Sequence, residues 1–118
     1  MKDDRDAQIT ALQQRNTELV EENRTLRSPA IQAILEELSK AREKHPEWVE
    51  DPIHAAAILA EEAGELVKAA IDFSYSGAPI GEMFVEAAQV GAMAIRFLEN
   101  TLGYARITVR TEDSGNRA

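Results

Sequence analysis

Residues 52–73 read PIHAAAILAEEAGELVKAAIDF, a helix-length run in which three glutamates sit among apolar, mostly small side chains. At 100° per residue, Glu61, Glu62, Glu65, Lys68 and Asp72 fall within an arc of about 120°. The rest of the wheel is apolar, which predicts a helix buried against several neighbours. Asp51 is placed to cap it, with Pro52 at the first position, where a missing N–H costs nothing. The glutamates are a liability there, since like charges at i,i+3 and i,i+4 repel by roughly 0.2–0.5 kcal/mol per pair.

Working outward, SYSGAPIG (74–81) is short and turn-rich, so a further helix from about Gly81 to Thr101 should return antiparallel to the first. It has the same character: Glu82, Glu86, Gln89, Arg96 and Asn100 form one stripe amid apolar residues. Gly103 is expected to stop it. YARITVR (104–110) alternates weakly and reads as a short strand or an extended tail, and TEDSGNRA as disordered. On the other side, KHPEWVEDP (44–52) is a loop with two prolines and the only tryptophan, Trp48. Before it, Ser28 as cap and Pro29 at the first position open a helix that runs to about Lys44, with Ile31, Ile34, Leu35, Leu38 and Ala41 at the 3.6 period.

Asp6 to Arg27 carries a heptad. Ile9, Asn16 and Asn23 fall at a, and Leu12, Leu19 and Leu26 at d. Leucine at d with asparagine at a is a pattern of parallel two-stranded coiled coils, in which a buried Asn pair fixes register at some cost in stability. Glu22 at g and Arg27 at the following e have the geometry of an interchain ion pair. The alternatives are an amphipathic helix folded back on its own domain, or a frayed one. The domains expected are therefore a heptad arm over 1–28, a helical domain over 29–103 and a tail over 104–118.

The composition narrows the function. A net charge of −8 argues against nucleic acid as the main partner, and the absence of cysteine excludes disulfides and thiolate metal sites. No apolar run approaches 18 residues and no signal-peptide pattern opens the chain, so no membrane association and a cytoplasmic location are expected. The class is all-α.

Two readings of the polar stripes are open. In the plain one they are the solvated faces of two helices. Against it, the stripes hold Glu61, Glu62, Glu65, Asp72, Glu82 and Glu86 but only Lys68 and Arg96. In the other, Glu62 and Glu65 face Glu86 and Gln89, and four oxygen-bearing side chains converge on a hard divalent cation such as Mg²⁺, which keeps waters and substrate phosphates as further ligands. A di-iron site of the bundle type needs Glu-x-x-His, and neither His45 nor His54 has that spacing; His54 reads as a packing or capping residue.

EEAGE (61–65) followed by EAAQ (86–89) resembles the EExxE…ExxD signature of the MazG-like all-α nucleoside triphosphate pyrophosphohydrolases. The stretch from KHPEW through HAAAILAEEAGELVKAAIDF to EAAQVGAMAIRFLE is similar to the small, single-domain phage and bacterial members. The resemblance covers about residues 30–102, and neither the heptad arm nor the tail. It implies a helical bundle that assembles as a homo-oligomer, dimer or tetramer. The activity it implies is Mg²⁺-dependent (or Mn²⁺-dependent) hydrolysis of an NTP or dNTP to the monophosphate and pyrophosphate. Carried over, Glu62, Glu65 and Glu86 would be metal ligands, and Glu61 a further ligand or the catalytic base that orients the attacking water. Gln89 stands where the family has aspartate; its amide oxygen can ligate but brings no charge and accepts no proton at neutral pH. Asp72 or Glu82 would be substitutes for the missing carboxylate. Lys68 and Arg96, with Lys40, Arg42 and Lys44, are candidates to meet the triphosphate, or simply solvated charges. Trp48 would stack on a base or close the core under its loop. A catalytically silent relative that binds nucleotides, or a coiled-coil interaction protein, is the competing expectation.

Overall fold

The break at Arg27–Ser28 and the capped start at Asp51 divide the chain as its local chemistry demands. The computed structural model describes residues 2–105. It is all-α, with helices α1 (Lys2–Leu26), α2 (Pro29–Lys44), α3 (Pro52–Ser76) and α4 (Ile80–Glu99) and no strand among the described residues. The chain separates into two units, the first ending at Gln32 and the second beginning at Ala33.

The first unit contains α1 and the opening turn of α2. Ser28 Oγ accepts from the N–H of Ile31 at 3.2 Å, which satisfies one orphan donor of α2. Gln32 Nε2 donates to the carbonyl of Leu26 at 2.6 Å, and so closes the end of α1. Along α1, Thr10, Thr17 and Thr25 hydroxyls donate to the carbonyls four residues back. Arg15 pairs with Glu18 and Arg24 with Glu21, both at 3.1 Å and well exposed.

In the second unit α3 and α4 are the principal packed pair. Their seam is made of alanine: Ala55, Ala69, Ala88 and Ala92 are all buried, so the two backbones approach closely. Asp51 accepts from the N–H groups of Ile53 and His54, both at 3.3 Å, and Pro52 follows at the first position as expected. α3 runs past Phe73 to Ser76 and ends at Gly77, whose φ of 71° is left-handed backbone that glycine adopts without strain. The remainder of α2 lies on this hairpin. At Gly91 a Cβ would come 2.9 Å from both Cγ1 and Cδ1 of Ile34, so any larger residue there would force the Ile34 side chain to shift.

Two expectations are corrected. Gly103 does not stop the last helix. The break is at Asn100, whose amide group donates to the carbonyl of Arg96 at 2.7 Å, and residues 101–105, including Tyr104 and Ala105, are helical again. The rest of the predicted tail, residues 106–118, lies outside the described residues. The second correction concerns burial. α3 and α4 are apolar over most of their circumference, yet Ile53, Val67, Ile71, Phe84 and Leu98 remain 51–79% exposed. One hairpin and one crossing helix supply too little surface to surround either helix. Among the described residues no helix is long and apolar enough to cross a membrane.

Candidate functional site

The acidic stripes do meet. Asp72 and Glu65 of α3 line one hollow of about 340 Å³ with Glu82 and Glu86 of α4. Glu62 and Gln89 lie together on a second, of about 710 Å³. The residue numbers descend on α3 as they rise on α4, as antiparallel packing requires.

Gln89 joins the two hollows. With its amide nitrogen turned toward the carboxylates it donates to Glu86 Oε2 at 3.0 Å and to Glu62 Oε2 at 3.2 Å. The opposite orientation would set its carbonyl oxygen against both anions. Burial holds the Glu62 carboxyl above the usual carboxylate range, and the charges of Glu86, Glu61, Glu65 and Glu37 push it further the same way. Glu61 is exposed and lines neither hollow; its charge is felt by Glu62 all the same.

Glu37 is the acidic residue that sequence reasoning passed over. It belongs to α2, lies on the larger hollow with Glu62, and pairs with Lys40 at 3.5 Å. Its position between Ile34, Leu38 and Ala41 on the helix face was a visible signal, but only the placement of α2 over the hairpin makes it an acidic neighbour of Glu62.

The cationic and aromatic candidates separate as well. Lys68 is on the smaller hollow, whereas Lys40, Lys44, Trp48 and Arg96 line the larger one. Arg42 is drawn off by Glu99, with one guanidinium nitrogen 2.5 and 2.7 Å from the two carboxylate oxygens. Arg96 is only 5% exposed. It donates to the carbonyls of Ala41 at 3.4 Å, His45 at 2.7 Å and Glu47 at 3.4 Å. Its guanidinium carbon stands 4.9 Å from the Trp48 ring centroid. These carbonyls belong to the last turn of α2 and the loop after it, where the helix dipole favours a cation. In this arrangement Arg96 fastens the loop at the wall of the hollow. Trp48 Nε1 donates to the Tyr104 hydroxyl at 2.5 Å, and the Tyr104 ring packs on Phe97 with centroids 5.4 Å apart. Tyr104, assigned to the tail from sequence, is thus a buried part of the loop's support.

The donor set is entirely oxygen and carries an excess of negative charge, which suits a hard divalent cation. As the side chains stand, no three His, Asp or Glu residues among those described converge closely enough to hold an ion. The amide of Gln89 occupies the space between two of the would-be ligands. Comparison of the chain with family models, curated proteins and solved structures returned no match.

Proposed function

We propose that this chain is a Mg²⁺-dependent nucleoside triphosphate pyrophosphohydrolase of MazG-like type, working in the cytoplasm as a homo-oligomer. The observation that carries the reading is Glu62, its carboxyl raised by burial and by Glu86, Glu61, Glu65 and Glu37, on the wall of a hollow that also presents Trp48, Lys40 and Lys44. Glu62, Glu65 and Glu86 would hold the cation, with Gln89 contributing its oxygen once the amide turns over. When bound, Mg²⁺ neutralises phosphate oxygen charge and favours the departure of pyrophosphate.

The chain's own residues do the rest. Glu61, which lies outside both hollows as the side chains stand, would have to turn toward the cation to take the proton of the attacking water as the water oxygen bonds to the α-phosphorus and the bond to the pyrophosphate oxygen breaks. Lys40 and Lys44 meet phosphate charge at the rim, and Lys68 does so from the neighbouring hollow. Arg96 acts through the loop, by fixing Trp48 at the wall. The apolar residues left exposed on α3 and α4 support assembly of further copies over that face.

The test is pyrophosphate release from a panel of NTPs and dNTPs with Mg²⁺ or Mn²⁺. Release abolished by Glu62→Ala and by Glu65→Ala is expected, whereas no release from any nucleotide with either metal overturns the reading. The position of Gln89 favours one alternative, a silent nucleotide-binding relative. In that case calorimetry would record nucleotide binding without turnover, and Gln89→Asp would restore turnover.

A further inference from the structure

α1 is a strongly polar helix, and four of its five large apolar residues fall at heptad a or d positions. Its hydroxyl back-bonds and its i,i+3 ion pairs lie on residues outside the a and d positions. At the a and d positions, Ile9, Leu12, Leu19 and Leu26 are 47%, 71%, 43% and 57% exposed. Between them, the Asn16 and Asn23 side chains make no hydrogen bond among the described residues. A single 25-residue helix that leaves its apolar residues in water forgoes the tertiary packing that supplies most helical stability in proteins.

We propose that α1 closes on α1 of a second copy of this chain, as a parallel, in-register two-stranded coiled coil. The pattern selects that occupant. Leucine at three successive d positions and asparagine at two a positions bring like residues opposite each other only when the copies are parallel and unshifted, so each amide meets its own counterpart. A one-heptad slip would set Ile9 against Asn16 and leave an amide unpaired in an apolar layer. The flanks agree. Glu22 at g faces Arg27 at the following e of the other copy, twice by symmetry. Glu22 is only loosely engaged by Arg15 at 3.7 Å, and Arg27 has no ion pair among the described residues. An antiparallel pairing would lose both the amide pairs and the charge match. The inference is independent of any chemistry at the acidic hollows.

The chain contains no cysteine, so an introduced thiol is the only one present. In the full-length protein, Leu26→Cys and, separately, Leu12→Cys are oxidised and the disulfide-linked dimer is measured, with Gln14→Cys at the outer f position as the control. Self-linking at 12 and at 26, at least ten-fold above the control, is expected. It should fall to the control level when Leu19→Glu is added to the Leu26→Cys protein. Failure of Leu26→Cys to self-link above control overturns the proposal, because residue 26 meets itself only in a parallel, unshifted pair. A second measurement reads the charges. Mixed Glu22→Arg and Arg27→Glu proteins, each carrying Leu26→Cys, should form the mixed dimer several-fold in excess of either self-dimer. A random mixture overturns the assigned register. Neither readout involves nucleotide hydrolysis, so a failed arm and a failed enzyme are distinguishable.

Discussion

Gln89 and Glu62 face each other across the α3–α4 seam, amide nitrogen to carboxylate oxygen, at 3.2 Å. The same amide reaches Glu86 at 3.0 Å, so one neutral group holds apart two carboxylates that would otherwise confront each other. A cation between Glu62 and Glu86 would do this more strongly, and for that ion the amide is a competitor until it turns over. Gln89→Asp adds a third negative charge and removes the competitor. Without metal it should lower the melting temperature at neutral pH. Adding Mg²⁺ should then stabilise it, by about 2.7 kcal/mol at a hundredfold excess over its Kd, and by more than the wild type at the same concentration. Thermal melts with and without Mg²⁺ check this; equal Mg²⁺ responses in the two proteins would show that position 89 is not beside the ion.

Glu62 gives the acidic cluster a pH signature. Its carboxyl titrates above the ordinary range, so between about pH 4.3 and the raised value the folded chain holds this proton more tightly than the unfolded chain. Folded-state proton binding then exceeds that of the unfolded state, and stability falls as pH rises through the window. Glu62→Gln removes the titration and still accepts from Gln89. The variant should be more stable than the wild type at neutral pH, and the gain should vanish below about pH 4. Urea unfolding across pH decides it, since a gain that does not change with pH would place the effect elsewhere.

Arg96 is a buried charge satisfied by carbonyl groups and a ring. Arg96→Met keeps the length but orphans those carbonyls, at a cost of about 2–4 kcal/mol. Lysine would not rescue it, because a point charge cannot reproduce the fork. Trp48, the only tryptophan, reports the loss directly through its fluorescence during urea unfolding. An unchanged midpoint in Arg96→Met would mean that the loop is held by Tyr104 alone.

Two helical glycines make a paired test of α2 packing. Nothing lies within 4 Å of a Cβ built on Gly64, whereas one on Gly91 meets Ile34 at 2.9 Å. Gly64→Ala should therefore stabilise by about 1 kcal/mol. For Gly91→Ala that gain is offset by about 1–3 kcal/mol of overpacking. Chemical denaturation of the two variants measures the difference, and equal stabilisation would put α2 farther from α4 than the structure has it.

The parts of this architecture governed by near neighbours could be read from the chain. Ser28–Pro29 and Asp51–Pro52 each place a cap and a first-turn proline side by side, and both helices begin there. The polar stripes were legible for the same reason, since an i,i+3 pattern survives folding unchanged. What depended on distant partners was not. Glu37 belongs to the cluster only because α2 crosses the hairpin where Gly91 admits Ile34. Arg96 lay on the predicted stripe, but its partners are carbonyls of Ala41, His45 and Glu47, which carry no side-chain signature. The end of α4 was misplaced because Asn100 bonds back to Arg96, an option that competes locally with the more obvious stop at Gly103.

The partners of Arg96 have a further consequence. Every one of them is electrically neutral. The anchorage of the Trp48 loop therefore involves no carboxylate, whereas Glu62, which lines the same hollow, carries a charge that acid removes. Acidification should discharge Glu62 and leave the loop anchored.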